Sequence, residues 1–194
     1  MRAIVTTRNG DVEVLKVETR PDPVPGKGEV LIRVKAAGLN FADILARQGL
    51  YPDAPPKPCV LGYEVSGVVE AVGDGDDETL VGKPVIAMTR FSGQAELLVV
   101  QVRQIFEKPE QLSFEQGAAI PVNYLTAWAL LVTMGGLQKD EAVLIHNAGG
   151  GVGLAALDIA KHIGAKTYGT ASAGKHEFLE QRGLDHAIDY RNQD

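Results

Sequence analysis

The residues with the clearest chemistry are Ala148, Gly149, Gly150, Gly151, Val152 and Gly153. An apolar run, Ala142 to His146, leads into them, and an apolar helical stripe of Val152, Ala156, Ile159, Ala160 and Ile163 follows. A strand, a glycine-rich turn and a helix in that order can hold the pyrophosphate of a dinucleotide. Aligned to G-x-G-x-x-G, the turn reads A-x-G-x-x-G. Gly150, in the second place, lets the backbone approach the pyrophosphate, and Gly153, in the third, lets the helix pack on the strand. The first N–H groups of the helix and its partial positive charge then face the anion. Ala148 takes the first place, which is tolerable where its φ is negative.

The segment after the next expected strand, Gly169-Thr170-Ala171-Ser172-Ala173-Gly174-Lys175, tells the nucleotides apart. NAD sites carry an acidic residue there for the ribose hydroxyls. This segment has no carboxylate. Ser172 offers a hydroxyl and Lys175 a positive charge, which suits the extra 2′-phosphate of NADP(H); in a bland reading, Ser172 caps a helix and Lys175 is solvated. Tyr190, at the end of the third expected strand, either stacks on or bonds to the adenosine end or is a surface aromatic.

The elements that must position these groups change character near residue 120. Before it, Ala3–Thr6, Val12–Val17, Val30–Ala37, Val65–Val72, Val85–Thr89 and Ala95–Val100 have alternating or β-branched patterns, punctuated by Gly and Pro. They predict a barrel-like β domain. One helix, Phe41–Arg47, interrupts them, with Asn40 as N-cap and Gly49 as stop. Ser113 and Gln116 form a capping-box pattern for a second, and Pro121 opens a third through Met134. This last, the most apolar stretch, reads as a buried helix too short to cross a bilayer. Beyond it the pattern is β-α-β-α-β: Ala142–His146, a helix ended by Gly164, Ala165–Thr170, Lys175–Arg182 and Ala187–Ile188. Only half of a doubly wound dinucleotide fold is present, so the expectation is a fragment or a sheet completed by another chain.

Composition narrows the classes. A net charge of −6 argues against nucleic acid held by a general basic surface. The single cysteine, Cys59, excludes a disulfide framework and a Cys-rich zinc site, and a reducing cytoplasmic location is the simplest expectation.

Gly38-Leu39-Asn40-Phe41-Ala42-Asp43, with Arg47-Gln48-Gly49-Leu50-Tyr51-Pro52 after it, resembles the medium-chain dehydrogenase/reductase superfamily. Within it the resemblance is to the zinc-free quinone oxidoreductase branch, including vesicle amine transport protein homologues. Leu61-Gly62-Tyr63-Glu64, Ser66-Gly67-Val68-Val69, Val72-Gly73, Val122 to Ala127, the glycine turn and Ile188-Asp189-Tyr190 fit in the same order. The resemblance implies a GroES-like β-barrel substrate and catalytic domain over 1–120. The first half of a Rossmann doubly wound parallel sheet, binding NADP, follows over 121–194, in a chain shorter than the family's full form. It also implies zinc-independent, NADPH-dependent reduction of quinones or α,β-unsaturated carbonyls by hydride transfer, with a full-length form that pairs as a homodimer.

Zinc-containing relatives place a Cys at Leu39 or Asn40 and a His at Tyr63; neither is present, and His146, His162, His176 and His186 lack ligand spacing. By resemblance, Asn40 lies near the nicotinamide and Thr126 contacts the cofactor. Tyr51 and Tyr63 are candidate hydroxyl donors to the substrate oxygen. Glu64 is expected to brace the cleft and Asp43 to be a solvated first-turn carboxylate. Two other readings compete: a non-catalytic nucleotide-binding or interaction fragment, and an enoyl-thioester reductase. The 194-residue chain could be inactive alone.

Overall fold

The computed structural model describes residues 1–192 and falls into two compact units, Met1–Pro121 and a second from Val122 onward. In the first unit the elements run β1 (Arg2–Thr6), β2 (Leu15–Thr19), β3 (Glu29–Ala37), α1 (Phe41–Gln48), β4 (Cys59–Val60) and β5 (Glu64–Val72). Next come β6 (Pro84–Met88), β7 (Leu97–Gln101), β8 (Ile105–Glu107) and α2 (Phe114–Ala118). An antiparallel five-stranded sheet has the order β7-β3-β5-β6-β8, and a smaller one the order β2-β1-β4; the Ala3–Ala95 bridge joins them. β3 and β5 are bulged between Leu31 and Ile32 and between Val34 and Ala36, which bends the pair around the core. That core is β-branched: Val30, Ile32, Val65, Val69, Val85 and Val100.

Local sequence explains most of these elements. Gly49 closes α1 at φ 81°, the left-handed conformation that a glycine adopts at least cost. Ser113 Oγ accepts the Gln116 N–H at 3.2 Å while Gln116 Oε1 accepts the Ser113 N–H at 2.9 Å, the expected capping box. One expected strand is shorter than its pattern suggests. Val12–Val14 forms a 3-10 turn, and β2 starts only at Leu15. Thr7 is responsible: its Oγ1 and N–H both donate to Val14 O, tying the turn back to the end of β1.

The second unit contains α3 (Pro121–Trp128, its first residue shared with the boundary), β9 (Ala142–Ile145), α4 (Gly151–Ile163), β10 (Lys166–Ala171), α5 (His176–Gln181) and β11 (His186–Asp189). The strands are parallel in the order β11-β10-β9. α4 packs on them through Gly153, Ala155, Ala156, Leu157 and Ala160. Of the expected stripe, Ala156 and Ala160 are buried and Val152 and Ile159 pack half-buried against the same core, while Gly153, Ala155 and Leu157 widen the contact face. Ala148 and Leu179 complete the core.

The helix expected over Pro121–Met134 changes its winding. α3 ends at Trp128, and Ala129–Met134 is π-helical, with the Gly135 N–H reaching back five residues to Leu130 O. Nor is the stretch buried. Ala127 is in the core, but Leu125, Trp128, Leu130 and Met134 are all more than half exposed. One side of a helix can meet only one surface, and this segment is apolar on more than one side. Among the described residues no helix is long and apolar enough to cross a membrane.

A β-carbon at Gly169 would lie 2.8 Å from Ala148 Cβ and 2.9 Å from Leu184 Cδ1, whereas one at Gly174 meets nothing within 4 Å. Gly169→Ala should cost about 1–3 kcal/mol by overpacking. Gly174→Ala should stay within about 0.5 kcal/mol of the parent. Urea unfolding followed by the fluorescence of Trp128, the only tryptophan, reads both.

Candidate functional site

The glycine turn is set by the end of β10. Thr170 O accepts the Ala148 N–H at 3.0 Å and Thr170 Oγ1 the Asn147 N–H at 3.1 Å. The reversal itself falls on Asn147, at φ 52°. Asparagine tolerates this left-handed conformation better than most side chains. Ala148 is not among the residues of positive φ, so the sequence condition for an alanine in the first place of the motif is met.

Positive φ is not what the glycines of the turn supply; they supply space. A β-carbon at Gly153 would sit 2.7 Å from Ala148 Cα, and one at Gly150 would sit 2.6 Å from Asn147 Nδ2. At Gly151 it would meet the Asn123 side chain, with Oδ1 2.5 Å away. The N–H groups of Gly151, Val152 and Gly153 open α4 and have no acceptor within the helix.

Lys175 bends back over this turn. A β-carbon at Gly149 would touch its Cδ at 2.8 Å and lie 3.4 Å from its Nζ. The bend comes from the 3-10 turn Ala173–Lys175, closed by the Lys175 N–H donating to Ser172 O at 2.9 Å. Ser172 stands at the N-cap position, yet its side chain makes no capping bond, so that part of the bland reading does not hold. Tyr190 is not the end of β11; Asp189 is. Asp189 accepts the Arg191 N–H at 3.1 Å and Asn192 Nδ2 at 2.6 Å, turning the chain there. These contacts hold the Asp189 carboxyl below its ordinary range, the Asn192 bond contributing most. Tyr190 is 57% exposed beneath the Arg191 guanidinium, 5.5 Å from its ring centre. Thr126 lies exposed on α3.

In the first unit, three of the singled-out residues form one hydrogen-bonded group. Asn40 occupies the N-cap position of α1, in a capping box with Asp43. Asn40 Nδ2 donates to Glu64 Oε1 at 2.8 Å. Glu64 is 1% exposed. Gly38 makes room for it, since a β-carbon there would overlap the Glu64 side chain and lie 2.6 Å from Ala118 O.

The expectation for Asp43 is overturned, because it is 2% exposed. Its Oδ2 accepts the Asn40 N–H and its Oδ1 the Gly62 N–H, each at 2.9 Å, so it ties the start of α1 to the strand entry at Gly62. Burial pushes its carboxyl above the usual range, outweighing both donors. Sequence periodicity could not show this, since Gly62 is distant in sequence.

Tyr63 sits beside that network. Its ring meets Tyr51 edge-on, with centres 6.1 Å apart, and Phe91 at 5.1 Å. Its hydroxyl is shut off from solvent, with the Tyr51 side chain as a polar neighbour. Burial pushes that hydroxyl well above the ordinary phenol range, so it keeps its proton and can donate. Among the described residues no three His, Cys, Asp or Glu side chains cluster to hold a metal ion. Sequence reading singled out neither Asn147, Asn123 nor Arg191. Asn147 was detectable from asparagine's tolerance of positive φ; the other two depend on tertiary placement.

Comparison with known proteins supplies the lineage. Residues 26–117 match the alcohol dehydrogenase GroES-like domain family. The synaptic vesicle membrane protein VAT-1 homolog of Danio rerio is 45% identical over all of this chain and 40% of its own length. The crystal structure of the human VAT-1 homolog-like protein superposes with a TM-score of 0.92 at 37% identity, covering 97% of this chain and 61% of that one. Over its whole length the chain is similar to members of the medium-chain dehydrogenase/reductase superfamily. Its first unit is GroES-like and its second has the Rossmann-type order of that superfamily. A quinone oxidoreductase of Pseudomonas syringae is also similar, at 38% identity and a TM-score of 0.91, over 100% of this chain and 60% of that one. The cofactors of similar structures differ. A mycobacterial protein is complexed with NADPH (34% identity, TM-score 0.90, 98% of this chain and 59% of that one). Another is an NAD-dependent alcohol dehydrogenase (35%, 0.92, 100% and 65%). The chain spans about half the length of the curated relatives it matches.

Asp43→Ala should destabilise the first unit by about 2–4 kcal/mol, because it strands the buried Gly62 N–H and the Asn40 N–H together. The urea midpoint followed by far-ultraviolet circular dichroism measures this; a cost below about 0.5 kcal/mol contradicts the assigned role.

Proposed function

We propose that the chain is the catalytic and nucleotide-binding part of an NADPH-dependent oxidoreductase that reduces quinones or α,β-unsaturated carbonyls without zinc. The observation that carries the cofactor reading is the Lys175 side chain lying across Gly149, over a turn kept clear of β-carbons at Gly149, Gly150, Gly151 and Gly153. Such a cradle suits a pyrophosphate in size and charge. Residues Ala148 to Gly153 would hold it. Ser172 and Lys175 would take the 2′-phosphate, where a carboxylate would repel it. Tyr190 would contact the adenosine end, and Asn40 and Thr126 the nicotinamide side. The domain division at residue 120 belongs to the same proposal.

When bound, the reduced nicotinamide supplies a hydride. The chain's own residues have the other tasks. Glu64 holds the Asn40 amide in one orientation through the 2.8 Å bond. Asp43 fixes the helix start that carries Asn40. Tyr63, protonated, can donate to an acceptor oxygen as negative charge develops there, with Tyr51 as the neighbouring donor. A quinone or enone delocalises that charge, so hydroxyl donors can stabilise it in place of a Lewis acid. A small-molecule acceptor, a homodimer in the full-length form and a cytoplasmic location complete the reading.

NADPH should bind more tightly than NADH. Lys175→Ala should weaken NADPH about tenfold or more and NADH by a smaller factor, because NADH shares the pyrophosphate but lacks the 2′-phosphate. Equal affinity for the two nucleotides contradicts the assignment of Ser172 and Lys175. Turnover of a simple quinone should survive metal chelation, and its loss on chelation would contradict the zinc-independent reading.

A further inference from the structure

The first unit holds a second polar feature that the proposed reduction does not use. A pocket of about 480 Å³ lies between Thr7, Arg8 and Asn9, which follow β1, and the proline-rich segment from Ala54 to Lys57, with Tyr51 also in its wall. Its lining contains two cations, Arg8 and Lys57, and no carboxylate. That is unusual in a chain with a net charge of −6. Lys57 Nζ is shut off from solvent and has no hydrogen-bond partner among the described residues. Neither cation forms an ion pair there, and the nearby carboxylates are committed elsewhere. Asp11 pairs with Arg47 at 3.2 Å, and Asp53 pairs with Arg90.

Burying a charged nitrogen without a partner is costly, and an oxyanion in this pocket would supply the missing partner. We infer that this pocket binds a compact oxyanion, a carboxylate or phosphate group, between Lys57 and Arg8. The volume admits such a group with a short attached chain. The amide of Asn9 is a further donor in the same wall. Because Tyr51 belongs both to this wall and to the Tyr63 ring pair, an anion held here lies next to the candidate substrate donors. The oxyanion has two possible sources: a free small anion, or the charged end of the substrate. The inference stands on the pocket alone and does not require the dinucleotide reading.

The test is a titration of the isotope-labelled chain with sodium phosphate, and separately with sodium acetate, at constant ionic strength. Backbone amide resonances are followed. Saturable shifts at Thr7, Arg8, Asn9 and Ala54 are expected. Lys57→Gln and Arg8→Gln should each weaken them about fivefold or more. Lys175→Ala should leave them unchanged, which separates this pocket from the glycine turn. Arg8 is exposed, so its variant reports even if Lys57→Gln unfolds the chain. A naphthoquinone carboxylic acid that displaces phosphate from these amides, where its methyl ester does not, assigns the anion to the substrate. If neither displaces it, the pocket serves a free anion. Absence of saturable shifts with both salts, or shifts that survive both variants, overturns the inference.

Discussion

A β-carbon at Gly153 would stand 2.7 Å from Ala148 Cα, and much of the second unit follows from its absence. Without it, the first turn of α4 rests directly on the end of β9. The contact is repeated at Gly169, where Ala148 and Leu184 fill the space of a missing side chain. Close helix-to-sheet packing brings the opening N–H groups of α4 to the strand ends. There a bound anion would meet backbone donors and no side-chain bulk. Lys175 adds a full positive charge at the same point. The turn that delivers it is closed by a backbone bond to Ser172.

The first unit solves a different problem, holding the half-buried Asn40 amide in fixed relation to the buried Glu64 carboxylate. Asp43 does this by accepting two backbone N–H groups from separate segments. A carboxylate so placed sacrifices solvation, and its raised protonation range records the sacrifice. Asp43 and Asn40 form a capping box at the start of α1. The Asn40 amide nitrogen, which capping does not use, bonds to Glu64, so one side chain serves both the helix and the site.

Much of this was legible in the sequence where the signal was local. The capping box at Ser113, the stop at Gly49, the β-α-β-α-β order after residue 141 and the glycine turn all depend on neighbours within a few residues. The errors share a cause as well. The depth of Asp43 depends on Gly62, and the shortening of β2 on Thr7. The exposure of Leu125, Trp128 and Leu130 depends on which surface their helix meets. Each is decided by tertiary placement, which hydrophobic period alone does not contain. The positive φ at Asn147 is intermediate: asparagine signals it, but the motif directs attention to the glycines.

The claim that everything else leans on is that the bare turn after β9 receives a dinucleotide. Following the amide resonances of Gly149, Gly150, Gly151, Val152 and Gly153 while NADPH is added tests this directly. The account predicts saturable shifts concentrated in those five amides and in Ser172 and Lys175. Saturation elsewhere in the chain, with these residues unmoved, would contradict it.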